Sequence, residues 1–362
     1  MARPADDDQT TGTRPDPSRR SALLTLAGAA VAAAGGAWWW RSAASASEGS
    51  QDAIATPSEP LPRGRAPVSL FYTSAYVGAA HAFETTRKAA WVAQSLIEAP
   101  IPGLQLTTHD ALTADEVLAV HAPAYVEAVR TGEPRDLAQS QGFPWDAALW
   151  PMVVASNGGA VAAARAALAT GGIAGALASG LHHARRDHGA GFCTFNGLVI
   201  AALQALAGKA KRVLILDFDA HCGGGTHSLL GEHPAVRIVD VAVDGFDAYL
   251  PLGANTLDRV TSADAYLPTI SRRLAALDGD RFDLCLYNAG MDPHEGCPVG
   301  GLAGIDAAVL GERERMVFDW ARQRKLPLAF VLAGGYLGPT LAQDELVALH
   351  RLTLAAAAQP PR

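Results

Sequence analysis

Cysteine is scarce in this chain of 362 residues. The four present (Cys193, Cys222, Cys285 and Cys297) show neither the paired spacing of a zinc finger nor the density of a disulfide framework. No Cys285–Cys297 bridge is expected, and Cys193 and Cys222 lie within motifs that suit free thiols beside a site. Basic excess is also lacking. The 29 Lys and Arg against 36 Asp and Glu give a formal charge of −7 with no basic stripe, which argues against a nucleic-acid partner. There are no internal repeats. What is abundant is apolar: 49% of residues are hydrophobic, and with 36 glycines this is a globular composition long enough for one large α/β domain.

The first sixty or so residues do not read as fold. Residues 1–18 are polar and proline-rich. Ser18-Arg19-Arg20 precedes a weakly hydrophobic run, 22–40, closed by Arg41 and followed by Ala44-Ser45-Ala46. Residues 1–46 therefore read as a twin-arginine export signal, which would place the chain in the periplasm or outside the cell. Ala22 stands where that motif favours Phe. The other reading is an uncleaved N-terminal membrane anchor, just long enough to span a bilayer but poor in strongly apolar residues, with Trp38 to Trp40 at the outer interface. Residues 47–67 carry four prolines from Gln51 onward and read as a linker. That leaves 68–358 for the folded domain.

Along that domain, strand-like segments are expected at 68–72, 213–216, 236–243, 283–289 and 328–332. Helices are expected at 85–97, 112–118, 121–130, 152–169, 198–206, 262–277 and 306–324. An aromatic-rich loop is expected at 144–150 and an irregular polar segment at 180–196. Helices alternating with buried apolar strands predict a three-layer α/β fold, a mostly parallel sheet covered on both faces.

The centre of this pattern is VLILDFDAHCGGGT, residues 213–226. An apolar run of the kind a buried parallel strand shows leads into Asp217, Asp219 and His221 at alternate positions, which face the same way in extended chain. The three glycines, Gly223 to Gly225, predict a tight loop. Two further strand ends carry polar groups: Gly290-Met291-Asp292 and Gly334-Gly335-Tyr336. Loops after parallel strands meet at one sheet edge, so these groups should share a site. Asp219, His221 and Asp292 suit Zn²⁺ or Fe²⁺ with positions open to water and substrate. The plainer alternative is a strand end whose acids cap a helix. A second metal would want a carboxylate two residues beyond the histidine, where Gly223 stands. Beside such a metal, one of the tandem His182-His183 can act as general base and the other as its electrostatic or proton-donating partner. Tyr336 can hydrogen-bond a developing oxyanion. Phe192 and Cys193, after Gly191, can wall a narrow channel, to which Gly335 also belongs.

Taken together, HHA at 182–184, GFCTFN at 191–196, DFDAHCGGGT at 217–226, AGMD at 289–292 and AGGYLG at 333–338 resemble the histone deacetylase superfamily, including the bacterial acetylpolyamine amidohydrolases. FPWDAALW at 143–150 and TSADAYL at 261–267 are closest to its class IV-like branch. The resemblance spans roughly 68–350. It implies an arginase/deacetylase-like α/β fold and zinc-dependent hydrolysis of an N-acyl amine such as an acyl-lysine peptide or acylated polyamine. It implies metal ligation by Asp219, His221 and Asp292, with His183 as general base, His182 as its partner and Tyr336 as oxyanion donor. Asp217 would orient His182 and touch a structural K⁺ site, and Phe192 would line the acyl tunnel. The departures are as specific. Gly224 stands where the family has an Asp or Asn that orients the base, Cys222 replaces a His or Gln, and Ala242 replaces a serine of the K⁺ site. Asp244 stands where a histidine is usual, and Cys297 replaces an Asp. The rim segment 245–253 is short, so Phe246 is only loosely placed as a second tunnel wall. Gly224 and Ala242 also suit a non-catalytic binding protein on the same scaffold; a ureohydrolase is disfavoured by Gly223.

Overall fold

The computed structural model describes residues 66–79 and 84–360, which fall in one compact unit. The expected signal or anchor at 1–46, and the expected linker up to residue 65, lie outside the described residues. Eight strands form a single sheet: β1 (Val68–Phe71), β2 (Leu104–Thr107), β3 (Ile173–Ala176), β4 (Val213–Asp217), β5 (Val236–Ala242), β6 (Thr256–Arg259), β7 (Leu284–Gly290) and β8 (Leu328–Ala333). Their order is β2-β1-β3-β8-β7-β4-β5-β6, and every neighbouring pair is parallel. Strands β4, β7 and β8 are buried at every residue, which is why they read as unbroken apolar runs rather than alternating ones. The three strands without a sequence signal are β2, β3 and β6. Each has four residues; β3 is Ile-Ala-Gly-Ala and β2 and β6 are the sheet's edges, so propensity and burial are both weak there.

Ten α-helices among the described residues are α1 (Glu84–Glu98), α2 (Ala114–Leu118), α3 (Pro123–Thr131), α4 (Arg135–Ala138), α5 (Leu149–Thr170), α6 (Gly197–Ala207), α7 (Gly224–Leu230), α8 (Ala263–Ala275), α9 (Ala307–Gln323) and α10 (Gln343–Ala358). Helix α5 takes in the end of the expected aromatic loop, because Pro151 falls in its first turn, where a missing N–H costs nothing. It is apolar and long enough to span a bilayer, yet 67% of its most apolar window is buried in the protein, as a core helix is. The glycines at 223–225 are not a tight loop: Gly223 caps α7, and Gly224 and Gly225 open it. A Cβ on Gly225 would lie 2.5 Å from the His182 carbonyl oxygen, so glycine is needed there for close approach.

Beneath the central loop, α9 contributes a fully buried ion pair. The Arg313 guanidinium donates to Glu314 Oε1 (2.9 Å), the Phe218 carbonyl (3.1 Å) and Tyr266 Oη (3.1 Å), and Tyr287 donates to the same Glu314 oxygen (2.8 Å). This ties α9 to the backbone of the Asp217–His221 segment. Arg313→Met leaves Glu314 buried without its counter-charge and is expected to cost about 3–5 kcal/mol, read from urea unfolding. The double variant Arg313→Met/Glu314→Leu recovers most of that loss.

Candidate active site

The sheet order places β3, β8, β7, β4 and β5 side by side, and the loops at their carboxyl ends carry all the candidate residues. His182 and His183 follow β3, Asp219 and His221 follow β4, Asp292 follows β7 and Tyr336 follows β8. The loop bearing the histidines is clamped by Asn196. Its Oδ1 caps α6 by accepting from the Val199 N–H (3.1 Å), while its Nδ2 donates to the His182 carbonyl (3.3 Å) and to Thr226 Oγ1 (3.0 Å).

One donor atom from each of Asp219, His221 and Asp292 lies within 4.8 Å of the others, and all three residues are buried. His221 Nδ1 lies 3.1 Å from Asp219 Oδ1 and 3.1 Å from Asp292 Oδ2. One ring nitrogen carries at most one proton, and Asp292 Oδ2 is left without a hydrogen-bond partner. Burial, and then Asp219, push the Asp292 carboxyl up, while Asp219 is held low against its own burial by His182 and His221. Two buried carboxylates in opposition around an orphaned oxygen are a donor set that a divalent cation satisfies. Backbone N–H groups position both carboxylates: Asp292 Oδ1 accepts from the Ala220 N–H (3.0 Å), and Asp219 Oδ1 also accepts from the His221 N–H (3.0 Å). Glycine at 334, with φ +54°, is required behind this set, because a Cβ there would lie 2.5 Å from Asp292 Oδ2.

The Nε2 atoms of His182 and His183 are 3.1 Å apart. His182 Nδ1 lies 2.8 Å from Asp217 Oδ2, and Asn288 Nδ2 donates to the other Asp217 oxygen (2.8 Å). Burial pushes His182 down, but the Asp217 and Asp219 carboxylates outweigh it and raise it to about 10. His183 is lowered to about 4, first by burial and then by the cationic His182. One imidazolium and one neutral imidazole therefore stand together. The Tyr336 hydroxyl is raised well above its usual range by burial and by Asp292 and Asp219, so it keeps its proton and can donate.

His182, His183, Asp219 and Tyr336 line a cleft of about 300 Å³ together with Gly191, Phe192 and Cys193. Phe192 is 6.2 Å from Tyr336 and stacks on Phe143 at 5.4 Å. Phe246, which the sequence places only loosely, sets its ring edge-on to His183 at 4.9 Å and to His221 at 6.1 Å. Gly334 rather than Gly335 lies on the cleft; Gly335 packs toward Leu346 and His350 of α10. Burial raises all four thiols, so they are not nucleophilic thiolates, and none is bridged.

Two site residues escaped the sequence reading. Lys88 is buried and donates to the Gly334 carbonyl (2.5 Å); burial lowers it to about 8, offset in part by Asp292 and Asp219. Its one signal is position: it shares the buried face of α1 with Val92, four residues on. The other is Asp247, whose Oδ2 lies 2.9 Å from His183 Nδ1. Its signal in the sequence is Gly224, where the resemblance implies an Asp or Asn that a neighbouring loop would have to replace.

The histidine loop is also fastened by His121, whose Nδ1 lies 2.8 Å from the Arg185 carbonyl and whose Nε2 accepts from the Asn196 N–H (3.0 Å). Both ring nitrogens are used in the neutral form, and burial lowers His121 from 6.5 to about 4. Above the unfolded value neither state takes up a proton and this stability is fully present. As pH falls from 6.5 toward 4 the unfolded chain binds a proton that the folded chain refuses, and on the order of 3 kcal/mol is lost. Unfolding midpoints measured across that window should fall steeply for the wild type and less so for His121→Gln.

A family model for the histone deacetylase domain matches residues 81–352. Similar curated proteins include an uncharacterised protein of Picosynechococcus sp., 34% identical over 230 residues that cover 60% of this chain and 74% of that protein. A probable deacetylase of Methanothermobacter thermautotrophicus is 28% identical over 66% of this chain and 76% of its own length. Histone deacetylase 2 of Arabidopsis thaliana is 30% identical over half of this chain, a match that spans about half (48%) of that protein. Among solved structures, an acetylpolyamine aminohydrolase from Burkholderia pseudomallei superposes with a TM-score of 0.67 at 22% identity, covering 80% of this chain and 98% of that one. The HDA15 HD domain gives 0.66 at 21% identity, covering 81% and 90%; at these identities the two establish a shared α/β arginase/deacetylase fold. The chain belongs to the histone deacetylase family, hydrolases of carbon–nitrogen bonds in linear amides other than peptide bonds.

Proposed function

We propose that this chain is a zinc-dependent deacylase that removes an acyl group from an amine, either an acyl-lysine peptide or an acylated small amine such as a polyamine. The observation that carries the reading is the orphaned, buried Asp292 Oδ2 beside His221 and Asp219, the last of which lines the same cleft as the histidine pair and Tyr336. Asp219, His221 and Asp292 would hold one zinc ion; Fe²⁺ is the other ion this donor set suits. When bound, the metal polarises the scissile carbonyl and lowers the pKa of water.

The chain's own residues supply the rest. His183, neutral and with its Nδ1 proton directed at Asp247, presents Nε2 as the acceptor for the proton of the attacking water. His182, held charged by Asp217, offsets the negative charge that builds on the oxygens of the tetrahedral carbon. Tyr336 donates to the developing oxyanion. His183 then returns its proton to the departing amine. Phe192 and Phe246 exclude water along the acylated chain of the substrate. A K⁺ ion beside Asp217 belongs to the same reading: Asp240, its register partner on β5, has a buried Oδ1 without a hydrogen-bond partner.

We also propose that residues 1–46 export the protein, either cleaved or retained as an anchor. That favours acylated polyamines, peptides or envelope amines over histones as substrates. N-terminal sequencing of the protein from membrane and soluble fractions checks the location. Metal analysis with mass-spectrometric screening of acylated amines checks the chemistry. The expected result is one zinc per chain and free amine as product. Protein that takes up no metal, or that carries two Mn²⁺ and releases urea, overturns the reading.

A further inference from the structure

We infer that Asp247 is the positioning residue of the general base, taking from another loop the role that a side chain at position 224 would otherwise fill. The inference rests on the reading of His183 as that base.

Asp247 lies in the connection between β5 and β6, whereas Gly224 opens α7. The two converge in space. A Cβ built on Gly224 would lie 2.5 Å from Asp247 Oδ1 and 2.6 Å from its Cγ, so the Asp247 carboxyl group fills the volume in which a residue-224 side chain would begin. Glycine at 224 and aspartate at 247 are therefore two halves of one arrangement. The missing side chain makes the room, and the carboxylate from the neighbouring loop uses it.

The carboxylate is held on both oxygens. Oδ2 lies 2.9 Å from His183 Nδ1 and accepts from the Gly225 N–H (3.1 Å). Oδ1 is paired with Arg185, whose guanidinium also donates to the Gly224 carbonyl (3.1 Å). Its side chain is only 8% exposed, so these bonds act in a water-poor setting. An acceptor fixed at Nδ1 selects the tautomer with the proton there and makes Nε2, which faces His182 Nε2 at 3.1 Å, the accepting nitrogen. It also fixes the ring plane between Phe246 and His182.

The backbone supports a built feature. Asp247 has φ +57°, a left-handed conformation that aspartate and asparagine tolerate better than most residues. Of the four non-glycine residues with positive φ among those described, three (Leu181, Phe192 and Asp247) flank this cleft. Asp247 directly follows Phe246, so one short loop supplies both the carboxylate and a ring packed on His183.

The experiment uses the full zinc-loaded chain and compares Asp247→Gly, Asp247→Asn, Gly224→Ala and Asp247→Gly/Gly224→Ala with wild type and with His183→Ala. Glycine adopts φ +57° without strain, so Asp247→Gly removes the carboxylate while keeping the turn; zinc content and melting temperature monitor the fold. The expected result for Asp247→Gly is a kcat lowered by about 10–100-fold, the usual effect of losing a residue that orients a functional imidazole, with KM within about twofold. Asn keeps an acceptor for Nδ1–H, so Asp247→Asn should recover most of the loss. Gly224→Ala should also lower kcat, and the double variant should be no worse than Asp247→Gly, since both act on one contact. Wild-type kcat in Asp247→Gly, or no recovery in Asp247→Asn, overturns the inference while His183→Ala is inactive. An active His183→Ala would instead overturn the reading of the base itself.

Discussion

His183→Ala lowers kcat for acyl-amine hydrolysis by about 10²–10⁴-fold, the range lost with a positioned general base. The reason lies in the pairing of the two imidazoles. Burial and the neighbouring cation hold His183 neutral at about 4, so at pH 7 it has a lone pair to receive a proton. His182, raised to about 10, cannot substitute, because its proton is held by Asp217 and Asp219. Tyr336→Phe removes a donor that burial and two carboxylates keep protonated, and is expected to lower kcat by about 10²–10³-fold. Both groups act on the same transition state, so the double variant should fall well short of the product of the single losses. Steady-state kinetics on zinc-loaded proteins measure all three. Equal turnover by wild type and His183→Ala would falsify the assignment.

Asp292→Ala abolishes both metal retention and activity. Asp292 is wholly buried, with one oxygen committed to the Ala220 N–H and the other without a partner. His221 offsets the opposition between this carboxyl group and Asp219 in part, and a divalent cation held by all three relieves it further. In metal-free wild-type protein, zinc at a hundred times its dissociation constant should therefore stabilise the fold by about 2.7 kcal/mol. The same titration should leave the melting temperature of Asp292→Ala unchanged. Chelation of wild type should remove activity, and zinc should restore it. A zinc-dependent thermal shift in Asp292→Ala as large as that of the wild type would place the ion elsewhere.

The fold was legible where burial was complete. Strands β4, β7 and β8 are apolar along their whole length, and a strand covered on both faces can be little else. The aspartates, histidine and tyrosine at their ends mark one sheet edge from the sequence alone. The short strands β2, β3 and β6 were not legible, since four residues at an edge or of Ala and Gly leave no periodicity to read. The glycines at 223–225 predict a tight loop because glycine more often signals backbone freedom than close packing. Here Gly225 sits against the His182 carbonyl and Gly224 against Asp247.

Sequence by itself determined the parallel α/β architecture and the residue types at its carboxyl edge, because both follow from local pattern: apolar runs, then polar groups at the first positions beyond them. Tertiary structure decided how those groups are completed. Gly224 looked like a missing part of the machinery, since spacing along the chain shows only that no carboxylate stands there. Folding brings Asp247, from another loop and in a left-handed turn, into that volume. A contact between residues 183 and 247 depends on the path of two loops in space, which no short-range pattern encodes.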